Sequence, residues 1–235
     1  MIDELWPGGP CFAEAAGVFR LGTDSVLLAH FAKTVRAKGQ KYAIDLGCGS
    51  GIISVLFAWS NPELVIDGVE IDPRAAALAA ENAALNKMPI NVIEGDLRRH
   101  REFLTAGAYD LAVSNPPYFA QGRGKTSQEL ALARGEESCT LSDICRAAGY
   151  VTRWGGAFAL VHKPERLREI FSALSESGFE PKRLRFVQHM NTSPPSLVLI
   201  ESRRGGNPSL KVEPPLILAN NDGGDSDEVK AIYHR

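Results

Sequence analysis

Short apolar runs alternate with helix-patterned stretches along most of the chain, and that alternation limits what it can fold into. "KYAIDL" (41–46), "ELVIDGVE" (63–70), "INVIEGD" (90–96), "YDLAVSN" (109–115) and "GGAFALVH" (155–162) read as strands. Between them lie "IISVLFAWS" (52–60), "DPRAAALAAENAALNK" (72–87), "LSDICRAAGYVTRW" (141–154) and "PERLREIFSALSESG" (164–178), which read as helices. Strands that are apolar through their length are buried on both faces, which calls for a parallel sheet between two helical layers. The helix ends carry their own signals. Asp72 is placed as an N-cap with Pro73 at the first helical position, Ser142 and Asp143 open the third helix, and Gly178 closes the fourth. The last two strands, "RLRFVQHM" (183–190) and "SLVLIES" (196–202), are joined by "NTSPP" with no helix between, so they should run antiparallel. The expected fold is α/β, a doubly wound sheet of about seven strands, mostly parallel, with one antiparallel strand near the C-terminus. Residues 203–211 and 220–227 read as loops. One domain is expected over 1–235, with an N-terminal cap segment (1–40), a core (41–202) and a C-terminal extension (203–235).

Composition narrows the class. Hydrophobic residues make up 44 % of the 235 and charged residues 23 %, which supports a packed core and excludes global disorder. No apolar run reaches the ~18 residues that span a bilayer, and the N-terminus lacks the basic start of a signal peptide. The four cysteines, Cys11, Cys48, Cys139 and Cys145, form no metal-spaced pattern with one another or with histidine. No metal is expected, and a reducing cytoplasm is the simplest setting. Net charge is −2, but residues 121–211 hold 14 Lys and Arg against 9 Asp and Glu. That local excess reads either as scatter or as a basic face that meets phosphates.

In "DLGCGSG" the glycines stand at 47, 49 and 51 and position 52 is Ile52, so the dinucleotide fingerprint G-x-G-x-x-G is not met. The phosphate-binding Gly-Lys-Ser/Thr is missing as well. What remains is a glycine turn that brings backbone close to a ligand at the carboxyl edge of the sheet. Glu70, ending the second strand, can accept both hydroxyls of a ribose. Asp96, ending the third, can accept from an adenine amino group. Asp45, Gly47, Gly49, Gly51, Glu70, Ile71, Asp96, Leu97 and Asn115 form the candidate cofactor-binding set. An adenosine-containing ligand without a required phosphate fits it, and S-adenosylmethionine is such a ligand. Asp72 is explained by its capping role.

"SNPPYFA" (114–120) ends the fourth strand at the same edge. An exocyclic amino group on a base is a poor nucleophile, because its lone pair is conjugated into the ring. Two acceptors for its two N–H bonds would aim that lone pair at a methyl donor. The Asn115 side-chain oxygen and the Pro116 carbonyl can supply them, and Pro117 restricts Pro116 to an extended conformation. Tyr118 offers a ring face for stacking. Asn115, Pro116, Pro117 and Tyr118 are therefore the candidate catalytic residues. The alternative is that Pro-Pro merely breaks the strand.

With the glycine loop and the acids, the chain from about residue 19 to about 202 resembles the class I methyltransferases, which implies a Rossmann-like fold. "NPPY" is similar to the (D/N/S)PP(Y/F) motif of those that act on amino groups. Among these, the glutamine enzymes carry a helical domain ahead of the glycine loop, whereas 44 residues precede Asp45 here. DNA adenine enzymes usually carry a target-recognition domain, and the guanine-N2 rRNA enzymes commonly show a duplicated domain and "NPPF". "FRLGTDSVLLAHFA" (19–32), "NPPY", "ALARGEESCTLSDI" (131–144), "HKPERL" (162–167) and "EPKRLRFV" (180–187) most resemble the family of bacterial tRNA adenine-N6 methyltransferases that modify the adenine beside the anticodon of valine tRNA. The resemblance implies a turn with Arg20 and Thr23 closing over the methionine end of the cofactor. The following helix should bury Val26, Leu27, Leu28, Phe31 and Ala32, capped by Thr23 or Asp24. Tyr118, Arg123, Lys125, Arg134, Lys182, Arg183 and Arg185 are the expected tRNA contacts. Gly135 departs from the family pattern, which more often has His there. The alternatives are an amino-methyltransferase on rRNA or on a protein glutamine, and a non-catalytic RNA-binding module on this fold. Ser50 lacks a hydrolase elbow, and the five histidines have no mutual metal spacing.

Overall fold

The computed structural model describes residues 2–14, 22–33, 41–117 and 139–235. Within them, eight strands form one sheet: β3 (Tyr42–Leu46), β4 (Val65–Glu70), β5 (Ile90–Glu94), β6 (Tyr109–Ser114), β7 (Thr152–His162), β8 (Phe179–Gln188), β9 (Pro195–Arg204) and β10 (Lys211–Ile217). The order across the sheet is β10-β8-β9-β7-β6-β3-β4-β5. Every pairing is parallel except those of β9, which runs against both β7 and β8. The fold is the expected Rossmann-like α/β sheet with one reversed strand.

Alternation along the central strands separates two cores. Ala43 of β3 and Leu111 and Val113 of β6 face the layer holding α1 (Thr23–Lys33) and α2 (Ile52–Ser60). Ile44, Leu46 and Ala112 face the layer of α4 (Leu141–Val151) and α5 (Leu167–Glu176). The expected apolar face of α1 is realised, since Val26, Leu27, Leu28, Phe31 and Ala32 are all buried. Asp72 caps α3 (Pro73–Leu85) by accepting from the Arg74 amide, with Pro73 at the first turn.

Several boundaries differ from expectation. Thr23 and Asp24 lie inside the first turn of α1 rather than capping it, and the Ser25 amide donates to the Gly22 carbonyl. Thr140, not Ser142, caps α4, in a reciprocal capping box with Asp143. That helix ends at Val151, because Thr152, Arg153 and Trp154 already belong to β7. The N-terminal segment contains a hairpin of β1 (Ile2–Glu4) and β2 (Cys11–Ala13). The C-terminal extension adds an eighth strand, β10, and the helix α6 (Asp227–Ile232). "VEPPLI" does not look like a strand because proline cannot donate to a ladder. It is tolerated here on an edge strand, where the register with β8 shifts between Glu213 and Leu216.

Asp110 anchors the start of β3 to β6. Its carboxylate accepts from the amides of Lys41 and Tyr42 at 2.8 and 3.0 Å and pairs with Arg153. Burial opposes its charge, yet the two amides and the guanidinium outweigh that and hold its pKa below the usual carboxylate value. The stabilisation is therefore present above the ordinary carboxylate range and is lost as pH falls through it. Asp110→Ala should cost about 2–4 kcal/mol by stranding two amides, and its stability deficit against wild type, measured by denaturant melts, should shrink on acidification.

Candidate functional site

The chain runs from β3 through β4 to β5 on one side of the sheet centre and from β6 to β7 on the other. Loops leaving β3 and β6 therefore diverge at the carboxyl edge, where such sheets open a ligand crevice. The glycine loop leaves β3 there, and the Asn115-Pro116-Pro117 turn leaves β6 beside it. Ser114, fully buried, donates its hydroxyl to the Leu46 carbonyl at 2.7 Å and ties the two strand ends together.

Gly47, Gly49 and Gly51 all adopt positive φ, at 77°, 55° and 80°. A Cβ on Gly47 or Gly49 would meet nothing, so those two are required by backbone conformation and leave the loop open to the crevice. Gly51 is different: a Cβ there would lie 3.1 Å from that of Ala79, so it also permits close packing on α3. The amides of Gly47 and Cys48 both donate to the Val69 carbonyl, which folds the loop back over β4.

Glu70 closes this loop. One carboxylate oxygen accepts the Gly49 amide at 2.8 Å, and the other accepts the amides of Ile71 and Asp72 at 2.9 and 3.0 Å. Its neighbour Ile71 is 55 % exposed at the crevice, an apolar surface beside a carboxylate. Leu97 is buried. Asp96 is more engaged than the sequence suggested. It caps the turn over Leu97–Glu102 through the Arg98 amide, and the Arg98 guanidinium grips both its oxygens. Those Arg98 bonds hold its pKa below the usual carboxylate value. An incoming amino group would have to share oxygens that already serve Arg98.

Asp45 lies beneath the loop and is wholly buried. One carboxylate oxygen accepts from the Ser54 hydroxyl at 2.9 Å, while Oδ1 has no hydrogen-bond partner. Burial pushes its pKa up to about 7, against the Ser54 bond and with some help from the Glu70 charge. Burial likewise raises the Cys48 thiol.

Other expected site residues find different employment. Thr23 lies in the first turn of α1. Lys182, Arg183 and Arg185, expected to meet phosphates, each have partners within the fold. Arg183 pairs with Glu201 and Glu213 and stacks on Phe31, Arg185 pairs with Glu228, and Lys182 donates to Asn207 and Ser209. All three sit on β8, three places from β6 across the sheet. Arg20, Tyr118, Arg123, Lys125 and Arg134 lie outside the described residues.

Contributors at two places escaped the sequence. Asn82 on α3 is fully buried. It donates to the Ser50 carbonyl of the glycine loop at 2.9 Å and accepts from the Ala13 amide of β2 at 2.7 Å. Asn86, one turn later, both accepts from and donates to Cys11. A signal existed for Asn82, because an asparagine inside an alanine-rich helix is costly unless it bonds something. Ser25 is the second: its Oγ accepts from Asn115 Nδ2 at 3.0 Å. Among the described residues, no cluster of three His, Cys, Asp or Glu could hold a metal, and no helix is long and apolar enough to cross a membrane.

The buried Asp45 has a consequence for stability. A carboxyl whose folded pKa is raised keeps its proton in the fold after the unfolded chain has lost it, so stability falls as pH rises from about 4 to about 7. Asp45→Asn should remove that component, which is of the order of 4 kcal/mol across the window. Urea melts of both proteins from pH 4 to 8 check it; parallel pH profiles would exclude a buried, proton-holding Asp45.

Comparison with known proteins agrees with this geometry. Residues 12–163 match the model of the methyltransferase small domain family. A protein of Dickeya chrysanthemi named tRNA1(Val) (adenine(37)-N6)-methyltransferase is 31 % identical over 221 residues, covering 91 % of this chain and 85 % of that relative. A Porphyromonas gingivalis protein of the same name is 32 % identical over 190 residues, covering 78 % and 74 %. Among solved structures, a predicted O-methyltransferase from Agrobacterium tumefaciens superposes with a TM-score of 0.72 at 20 % identity, covering 90 % of this chain and 96 % of that one. A Thermus thermophilus 16S rRNA N2 methyltransferase solved with AdoMet and guanosine gives 0.62 at 18 % identity, covering 87 % and 50 %. The glycine loop and the Asn-Pro-Pro turn thus stand side by side in a chain that belongs to the methyltransferase small domain family.

Proposed function

We propose that this chain transfers a methyl group from S-adenosylmethionine to the N6 amino group of an adenine in tRNA, and that it works in the cytoplasm. The observation that carries the proposal is the adjacency of the two loops: β3 and β6 are hydrogen-bonded neighbours, and Ser114 ties the Asn115 turn to the strand that launches the glycine loop. The names of the Dickeya and Porphyromonas relatives support the choice of nucleotide and RNA.

The residues present fit an adenosine-containing donor. The open face at Gly47 and Gly49 allows close approach, Glu70 offers carboxylate oxygens at the strand end, and the exposed Ile71 offers an apolar surface for a base. S-adenosylmethionine, when bound, supplies an electrophilic methyl group on sulfur. Glu70, Ile71 and the glycines would hold it, with Asp45 supporting the loop from beneath and Asp96 contributing whatever Arg98 leaves of its lone pairs.

The rest of the chemistry belongs to the turn. Asn115 Oδ1 accepts one N–H of the adenine amino group and the Pro116 carbonyl accepts the other, so the lone pair is directed out of the ring plane. Pro117 limits the conformations of Pro116 and thereby fixes that carbonyl. Tyr118 stacks on the base, and Arg123, Lys125 and Arg134 supply phosphate contacts that hold the RNA. The amino group becomes acidic as it acquires the methyl group, so no strong base is needed. Positioning and fixed dipoles provide most of the rate gain.

The test is transfer from labelled donor into separate pools of tRNA, rRNA and protein from a strain lacking the gene, followed by nucleoside mass spectrometry. N6-methyladenosine in tRNA is expected. Label confined to rRNA or protein would reassign the substrate, and no transfer to any pool would favour the non-catalytic module.

Two substitutions divide the roles. Glu70→Ala removes a charged acceptor from ribose and from the Gly49 amide, so donor affinity measured by calorimetry should fall at least ~10-fold. Asn115→Ala should keep donor affinity and lower turnover by about 100-fold or more, because its acceptor acts mainly in the transition state. A reversed pattern would exchange the two assignments.

A further inference from the structure

A carboxamide can serve as an acceptor only if its oxygen faces the substrate. Asparagine does not guarantee this by itself, since the torsion that turns its amide is broad and roughly two-fold. Flipped, Asn115 would offer N–H to N–H and repel an amino group. In the structure a side-chain hydrogen bond holds the amide nitrogen. Asn115 Nδ2 donates to Oγ of Ser25 at 3.0 Å, across 90 residues of sequence.

Ser25 is well placed to hold that bond. It lies in the first turn of α1, is only 5 % exposed, and is followed by the buried Val26, Leu27 and Leu28. Its own amide closes the turn onto the Gly22 carbonyl. The helix packs on α2 and on strands β7 and β9, so the hydroxyl is carried by the core and not by a loop. From the other side, Ser114, the residue before Asn115, is tied to the Leu46 carbonyl.

We propose that Ser25 is a positioning residue for methyl transfer: its hydroxyl oxygen takes an Nδ2 hydrogen of Asn115 and holds the carboxamide in the orientation in which Oδ1 meets the adenine amino group. The inference rests on the reading that Asn115 accepts from that amino group. It adds a residue from the N-terminal segment, ahead of the glycine loop, to the machinery of the turn.

Ser25→Ala removes the hydroxyl, Ser25→Cys keeps nearly the same volume with a poor acceptor, and Ser25→Thr keeps the hydroxyl. With the full chain and tRNA, both Ala and Cys should lower kcat by about 10- to 100-fold, the scale of a misplaced reacting group. Donor and tRNA dissociation constants should stay within about twofold of wild type. Thr should restore most of the turnover. Adding Ser25→Ala to Asn115→Ala should cost nothing further, since the first residue acts through the second. A role confined to folding would move melting temperature and binding but would not spare the double mutant. In ¹⁵N spectra of the protein alone, the side-chain amide pair that vanishes in Asn115→Ala should shift in Ser25→Ala and Ser25→Cys and return toward its position in Ser25→Thr.

The outcomes separate. Wild-type kcat in Ser25→Ala, or an additive loss on top of Asn115→Ala, overturns the Ser25 role and leaves the reading of Asn115 intact. Full turnover in Asn115→Ala overturns the reading of the turn itself. Lost donor affinity with unchanged kcat would make Ser25 a donor contact instead. If Ser25→Ala fails to fold, Ser25→Cys and the amide resonances decide.

Discussion

The site depends on two neighbouring parallel strands ending at the same level and staying there. β3 and β6 pair through Ala43–Leu111, Ile44–Ala112 and Asp45–Val113, and beyond that ladder each strand turns away from the other. Nothing in a parallel ladder holds the ends once the backbone bonds stop. The Ser114 hydroxyl supplies the missing link by donating to the Leu46 carbonyl. Both groups are buried, so each would cost roughly 1–3 kcal/mol if left unpaired. The separation between the glycine loop and the Asn115 turn is thereby set by the sheet itself, and rigid strand ends position side chains better than mobile loops do.

Charge at the crevice is arranged to suit a cationic partner without placing bare carboxylates together. Asp45 is buried under the loop with its pKa near 7, and Glu70 sits above it with three backbone amides on its oxygens. Asp96 is neutralised by Arg98. A positive group entering the crevice would favour ionised Asp45, which suits a sulfonium compound better than a phosphate-bearing nucleotide. The conformational cost of the loop is carried by three glycines at positive φ, only one of which also answers to a neighbouring side chain.

The sheet was legible because period and length agree with each other. Fully apolar strands, helices between them and a five-residue link before β9 leave few arrangements, and the observed one is among them. The edge was not legible. β10 carries Pro214 and Pro215, which local propensity counts against a strand, and only its position at the sheet margin makes them acceptable. In the site, the backbone turns could be read from Gly47, Gly49, Pro116 and Pro117, since such residues impose local geometry. Long-range partnerships could not. Arg183 and Arg185 look like free cations in sequence, and nothing local says that Glu201, Glu213 and Glu228 will meet them.

Those long-range partnerships give the N-terminal segment a physical role. Asn82 joins Ala13 of the hairpin to Ser50 of the glycine loop, and Ser25 of α1 joins Asn115 of the turn. One stretch of chain ahead of β3 is therefore bonded to both halves of the crevice, on the donor side through an asparagine of α3 and on the acceptor side directly. A Rossmann-like sheet alone fixes where its loops begin but not how the groups on them turn. Here the loop and the turn carry hydrogen bonds to side chains from outside the core strands. Segments that look like appendages in the sequence are thus part of what orients the site.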